Sequence, residues 1–391
     1  MGRSAGEKTE KGASTIEVVI TDAKYRMTLA VLREALDAGH TVTLVQRDDG
    51  APPLCFFADG AHRDVLLGAE RYGDELLRLL ASYGERPVLL PCGAETLRIV
   101  SERREEFERV CRVLCPERGA LALCNDKARI RSLAEQAGLP VPRELRALPG
   151  EDVEALAGRA PYPCVIKYVC GEALGLPAEE RYRIVRTREE FAAVYPAFAA
   201  RGETLVQEYL EGDGYGVSLL MLRGGGVGGF VCHRRIRESV PTGGPSTCCE
   251  SVFLPEQLAL ARELLRRAGF VGPAMVEFKG ETFLEVNPRV WGTYPLTRAA
   301  ESGFTEAWIR AAAGEGMPVP LTKPRYRLGV RMRYLVSDLI GAARYLRAGD
   351  RRGWGAVRDL FRRGVRDGVF EKGDRVNRAY LRTLLERRRQ S

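Results

Sequence analysis

The chain has 391 residues, 45% of them hydrophobic, enough to bury the cores of two or three packed units. No stretch approaches the ~20 uninterrupted apolar residues of a membrane-spanning helix, and the polar start MGRSAGEKTEKGAST lacks the apolar core of a leader, so residues 1–14 are expected to form a disordered cytoplasmic N-terminus. The net charge of +8 invites a nucleic-acid reading, but residues 325–391 hold 19 Lys/Arg against 7 Asp/Glu, a surplus of 12 that leaves the rest at −4, and a solvated helical face explains that tail better than RNA binding does.

Thr15 to Ala23 is an apolar β-rich run, Tyr25 to Gly39 has helical spacing, and TVTLVQ then resumes a strand; this order opens a doubly wound parallel sheet. A helix from Asp74 to Tyr83, a strand from Pro87 to Gly93 and a helix from Glu95 to Arg109 extend it. After the first strand stands TDAKYRMT instead of a glycine fingerprint, which argues against a dinucleotide there. From Cys124 the pattern changes: the short helix NDKARIRSLAEQAG, closed by Gly138, is followed by a strand from Tyr162 to Val169, the loop GEALGLPAEE, and strands around Arg183 to Val185 and Thr204 to Leu210. VSLLML and VGGFVCHRRIRES read as further strands, Pro255 to Gly269 as a helix, and PAMVEFKG with ETFLEVNPR as a hairpin turning at Lys279 to Glu281. The last 67 residues alternate arginines with apolar residues, as amphipathic helices with arginine-rich outer faces would. Most of the ten cysteines lie in apolar stretches and read as reduced core thiols; Cys248 and Cys249 are the exception, in a segment expected to be a Gly/Pro/Ser loop.

The hairpin carries the clearest chemistry. Glu285 and Asn287, two apart, share a face, and Glu277 lies on the neighbouring strand, so three oxygen ligands can converge as a magnesium ion requires. Arg289 would add a fork of donors toward the same oxygens. Lys167 interrupts the apolar strand PCVIKYV, where a charge needs an anion, and Lys127 opens a helix at the end where its charge gains nothing from the helix dipole. A snorkelling surface lysine explains either one alone; together with the hairpin they favour a phosphate site. His233, Arg235 and Arg237 follow at period two on one strand. The chain has three histidines and no G-x-S-x-G elbow, in agreement with chemistry that needs no nucleophilic side chain.

The order of DK, PCVIK, a glycine-containing loop, LVQEYLEG, VEFK and FLEVNPR resembles the ATP-grasp superfamily over roughly Leu121 to Ala313, and within it the carboxylate-amine ligase and carbamoyl-phosphate-synthase-like branch. That resemblance implies an α/β fold: residues 15–120 as an open parallel-sheet pre-ATP-grasp domain, 121–203 as a central lobe and 204–324 as a C-terminal lobe, the two together of α+β character, and 325–391 as a basic helical extension. It implies ATP and magnesium as cofactors, with Lys127, Lys167 and the loop from Gly171 to Leu176 at the phosphates. Gln207, Glu208, Tyr209 and Leu210 would lie at the adenine edge, and Glu211 or Asp213 at the ribose. Glu277, Glu285 and Asn287 would be the metal ligands. Arg289 and, on the arginine strand, Arg237 ahead of Arg235 would meet the γ-phosphate or substrate carboxylate, and Thr242 to Thr247 would form a substrate-side loop. The reaction implied is attack of a carboxylate on the γ-phosphate, giving an acyl phosphate that an amine then intercepts. A non-catalytic nucleotide-binding protein and a carboxylase using bicarbonate stand as alternatives; the partners are small-molecule carboxylate and amine substrates, with no membrane, and dimers are a common expectation for the superfamily.

Overall fold

The computed structural model describes residues 15–147, 151–169, 174, 176 and 180–390; the expected disordered start, Gly171 and most of its loop lie outside them. The first unit contains β1 (Glu17–Thr21), α1 (Arg26–Asp37), β2 (Thr41–Asp48), β3 (His62–Gly68), α2 (Tyr72–Ala81), β4 (Val88–Leu90), α3 (Ala94–Glu102), α4 (Arg104–Val110) and β5 (Arg112–Val113). Its five strands are all parallel in the order β3-β2-β1-β4-β5. Helices cover the sheet, so β1 and β4 read as unbroken apolar runs, and Val18, Val19, Ile20, Leu89 and Leu90 are fully buried. Strand order reverses between β1 and β4, where such sheets commonly bind ligands. Here the buried Asp22, at φ 64°, fills that place: its carboxylate accepts from the Gly93 N–H at 2.7 Å and the Thr96 hydroxyl at 3.0 Å. An acid lodged against the start of α3 is a physical reason for a phosphate not to bind there.

Next come α5 (Arg118–Asn125), α6 (Lys127–Gln136), β6 (Glu144–Leu145), α7 (Val153–Arg159), β7 (Cys164–Tyr168), β8 (Tyr182–Val185), α8 (Arg188–Ala199) and β9 (Thr204–Glu208). The four strands form an antiparallel sheet, β6-β9-β7-β8, with its own small core around Ile166, Phe191, Tyr195 and Phe198. Tyr168 of β7 stacks on Phe198 of α8 at 4.8 Å and fixes the helix against the sheet, while Phe191 and Tyr195 stack on each other within α8 at 5.1 Å.

The largest sheet takes β10 (Gly214–Met221), β11 (Val227–Val240), β12 (Gly243–Val252), β13 (Gly272–Lys279) and β14 (Thr282–Asn287), with α9 (Pro255–Arg267), α10 (Pro295–Ala299) and α11 (Phe304–Ala312). The C-terminal segment supplies β15 (Arg331–Arg333), α12 (Leu335–Arg347), α13 (Arg352–Arg358), β16 (Val365–Asp367) and α14 (Val376–Gln390). The order is β14-β13-β10-β11-β12-β15-β16, and its core is continuous with that of the first unit. No described helix is long and apolar enough to cross a membrane.

Three expectations change. Cys248 and Cys249 lie on β12, both buried, and burial pushes the Cys248 thiol up to about 12; the nine described cysteines are all free. Residues 243–247 belong to the same strand, so the expected loop contracts to the reversal around Pro241 and Thr242. The basic segment is not helical alone, because β15 and β16 complete the largest sheet and Arg331 and Arg333 are buried on it.

Candidate active site

Side chains from β11, β10, β13 and β14 make one polar floor. Glu277 on β13 stands directly opposite Glu285 on β14, and Met275 opposite Asn287, so strand alternation puts both carboxylates and the amide on one face. Asn287 Nδ2 donates to Glu277 Oε1 at 3.0 Å, a bond that leaves the Asn287 carbonyl oxygen unspent. The other Glu277 oxygen accepts from the Arg235 guanidinium, which also donates to Glu238 at 3.0 Å.

Arg235 reaches Glu277 across β10, and glycines make the crossing possible. A Cβ on Gly214 would sit 3.0 Å from Arg235 Cδ, and one on Gly216 only 2.1 Å from His233 Cε1. His233 is buried and held neutral, its ring pushed down to about 3 by burial and by Arg235; it lies 3.3 Å from the Thr293 hydroxyl. Three carboxylates, Glu277, Glu285 and Glu238, thus surround one guanidinium. Burial first, then Glu285 and Glu238, push the Glu277 carboxyl up to about 7 against the pull of Arg235. Carboxylate and amide oxygens with uncompensated negative charge are the donors a hard divalent cation selects. Among the described residues no three His, Cys, Asp or Glu side chains already close on one point; the donor set pairs two carboxylates with an amide.

The four-stranded sheet faces this floor with cations. Lys167 Nζ on β7 donates to Gln207 Oε1 at 2.8 Å, Gln207 Nε2 donates to Glu144 Oε1 at 2.9 Å, and Arg131 lies 3.3 Å from Glu144. Burial, then the charge of Lys127, bring the Lys167 ammonium down to about 8, while Glu285 and Glu144 act in the opposite sense. The residue as a whole is half-buried. Those influences define the neighbourhood: Lys167 of the four-stranded sheet, Lys127 at the start of α6 and a carboxylate of the largest sheet act on the same space. Lys127 is exposed on the first turn of α6, which Asp126 caps through the Ala128 and Arg129 N–H groups and which packs against β14. Tyr182 on β8 closes the outer end of the cleft, 3.1 Å from the Thr242 hydroxyl at the β11–β12 reversal.

At the end of β9, the Glu208 N–H donates to Arg143 O and the Tyr209 N–H to Pro163 O, both at 2.9 Å, and the Glu208 carboxylate pairs with Arg143 at 3.1 Å. Of the ribose candidates, Asp213 is exposed and 3.6 Å from Arg234. Arg289, just beyond β14, is half-buried and donates to Val290 O at 3.0 Å.

Arg237 does not join this face. It is 2% exposed and binds Asp338 through two nitrogens, each at 2.8 Å, and Asp359 at 2.7 Å. β11 is irregular between Arg235 and Arg237, so the period of two that put both on one face fails there, and Arg235 takes the place expected of Arg237. Glu238, Glu144 and the glycines at 214 and 216 are further parts of the site. Only the glycine alternation in GDGYG offered a sign in the sequence.

A cavity of about 640 Å³ lies elsewhere, between α1, α10 and residues 365–372. Much of its charge is already matched, Arg298 with Asp37 at 2.9 Å and Arg33 with Glu371 at 3.3 Å, so the cleft is the better candidate for chemistry.

Two facing sheets around a cleft of this composition define an ATP-grasp fold. No family profile and no curated protein matches the chain, but solved structures do. The biotin carboxylase domain dimer of Hydrogenobacter thermophilus 2-oxoglutarate carboxylase, in complex with MgADP, ADP and bicarbonate, is similar at TM-score 0.60 and 17% identity, over 82% of this chain and 74% of that one. A biotin carboxylase from Campylobacter jejuni in a β,γ-ATP complex gives 0.58 and 18% over 81% and 74%. An L-amino acid ligase from Bacillus licheniformis gives 0.53 and 16% over 78% of each chain. At these identities the likeness establishes the fold.

Proposed function

We propose that the chain is an ATP-dependent ligase that activates a carboxylate as an acyl phosphate and joins it to an amine, an amino acid or small peptide, releasing ADP and phosphate. The observation that carries this reading is the Glu277–Glu285–Asn287 floor with Arg235, facing Lys167 across the cleft, with Lys127 at the start of α6 close enough to act on Lys167. Magnesium held by Glu277, Glu285 and Asn287 would neutralise phosphate oxygens. Lys127 and Lys167 would receive the remaining phosphate charge, and Gln207 holds the Lys167 ammonium in place for it. With the N–H groups of Glu208 and Tyr209 already used, the adenine edge would meet the Leu210 backbone and the carbonyls around it. Asp213 or Glu211 would hold the ribose, and the loop containing Gly171 would cover the phosphates.

Arg235 and Arg289 supply guanidinium forks for the substrate carboxylate and the transferring phosphoryl group. A carboxylate oxygen forms the new bond to the γ-phosphorus as the bond to ADP breaks; the amine then attacks the acyl carbon, phosphate leaves, and the amine proton passes to solvent. No covalent enzyme adduct is needed, because aligned reactants and fixed charges supply most of the rate. A homodimer belongs to the same proposal. A second reading, a carboxylase in which bicarbonate is the activated acid, has support from the biotin carboxylase neighbours.

Magnesium-dependent ADP release, screened over amino acids and small peptides and separately with bicarbonate alone, distinguishes the two readings. Glu285→Ala is expected to lower turnover by at least about 100-fold, the scale of losing one preorganised charge-stabilising group. Turnover that survived this substitution would overturn the metal assignment.

A further inference from the structure

The C-terminal helices carry a surface that the cleft does not use. On α12, residues 338, 341, 342 and 345 are buried while Leu339, Ile340, Arg344 and Arg347 form the outer face. Arginines were expected outside and apolar residues inside; instead apolar side chains are outside as well. Ile340 is 54% exposed, Trp354 64% and Phe361 84%, with Leu339 and Leu360 beside them.

α12 and α13 pack against each other, and on the buried side of the pair Asp338 and Asp359 meet at a single nitrogen of Arg237, at 2.8 and 2.7 Å; Leu339–Ile340 and Leu360–Phe361 follow these aspartates in the chain and are exposed. α13 crosses α12 at close range through Gly353, where a Cβ would lie 2.8 Å from Ala342 O, and Trp354 is the next residue.

Between 335 and 363 there are seven arginines and three aspartates, and two of the aspartates are the buried partners of Arg237. The third, Asp350, pairs with Arg352. Among the described residues no acidic side chain pairs with Arg347, Arg351, Arg358, Arg362 or Arg363, in a chain whose other surface arginines mostly have one. Protruding aromatic and aliphatic side chains ringed by unmatched arginines satisfy two demands at once: apolar insertion at the acyl boundary and attraction to negative headgroups. A polynucleotide would use the arginines and leave Leu339, Ile340 and Leu360 in water.

We propose that the outer face of α12 and α13, centred on Ile340, Trp354 and Phe361, docks the protein peripherally on an anionic lipid bilayer. The expectation of no membrane rested on the lack of a spanning segment, which a surface of this kind does not need. The proposal is independent of the reaction assigned to the cleft.

The chain carries its own probe. It has three tryptophans, and Trp291 and Trp308 are buried at 2% and 0%, so a change in emission on docking reports Trp354. The full chain is titrated with vesicles of phosphatidylglycerol and phosphatidylcholine, and with phosphatidylcholine alone. A blue shift with co-sedimentation is expected for the anionic vesicles only, weakened by raised salt. Phe361→Ser should weaken the binding about tenfold, the scale of one exposed aromatic side chain, with unchanged circular dichroism and ADP release. Trp354→Phe should remove the emission change and keep the co-sedimentation. No shift with anionic vesicles, or equal binding to neutral ones, overturns the proposal. So does a shift produced by polynucleotide and not by vesicles, or one that grows with protein concentration in the absence of lipid, which would assign the patch to nucleic acid or to a second copy.

Discussion

Lys167 is a stability liability that a bound anion would relieve. Burial brings its ammonium from 10.5 down to about 8, so the folded chain carries an unfavourable charge below pH 8 and sheds it earlier than the unfolded chain does. Between about 8 and 10.5 the unfolded state holds the extra proton, and this residue's contribution to stability rises with pH. Lys167→Met should therefore stabilise the nucleotide-free protein at pH 7 by about 1 kcal/mol, after allowance for screening and for the bond lost to Gln207, with the gain fading as pH climbs past 8. The same variant should lose the rise in melting temperature that magnesium-ATP gives the parent. Thermal unfolding with and without nucleotide at pH 7 and pH 10 checks both. Arg237 behaves oppositely: Arg237→Ala leaves the buried Asp338 without its cation, while Asp359 keeps Arg331, and should cost about 3–5 kcal/mol, read as a lower urea midpoint. The sequence exposed the chemistry of Lys167 because a charge in an apolar strand is conspicuous. It concealed that of Arg237, because the acids that match it stand 101 and 122 residues further along the chain.

At the level of elements, the β13–β14 hairpin was legible almost to the residue, since alternation alone puts Glu277, Glu285 and Asn287 together. Alternation also misled on β11, where the irregularity after Arg235 sends Arg237 to the other side. The edge strand β3 escaped notice because its exposure is mixed and no apolar period marks it, and the single helix expected from Glu95 to Arg109 is broken at Arg103, whose φ of −111° and ψ of 29° leave the helical region. Strand β10 owes its place beneath the site to what it lacks. Gly216→Ala would force a methyl to within 2.1 Å of the buried His233 ring, and should cost about 1–3 kcal/mol while moving Arg235 and raising the magnesium concentration needed for turnover. Circular dichroism and a magnesium titration separate the two effects.

Over the whole molecule, changes in pattern suggested an open α/β unit, two lobes and a basic helical extension, and that last part looked like an appendage. It is structural: β15 pairs with β12, β16 pairs with β15, and Arg331 joins Glu250 to Asp359 in the same buried network as Arg237. Truncation after residue 324 should therefore yield insoluble or unfolded protein, seen as lost soluble expression and lost far-ultraviolet ellipticity; a soluble, cooperatively folded truncation would contradict this account. Three-residue strands rich in arginine look like solvated chain until their partners are known, which explains why composition hid them. The buried Arg237 network also has a consequence for biosynthesis. A ribosome delivers the cleft residues well before Asp338 and Asp359, so the nascent chain must hold an unmatched guanidinium and an open edge on β12 until Asp338 and Asp359, 101 and 122 residues beyond Arg237, have left the exit tunnel. A message truncated ahead of residue 331 would release a chain with its cleft residues in place and a sticky strand beside them, a natural substrate for chaperones.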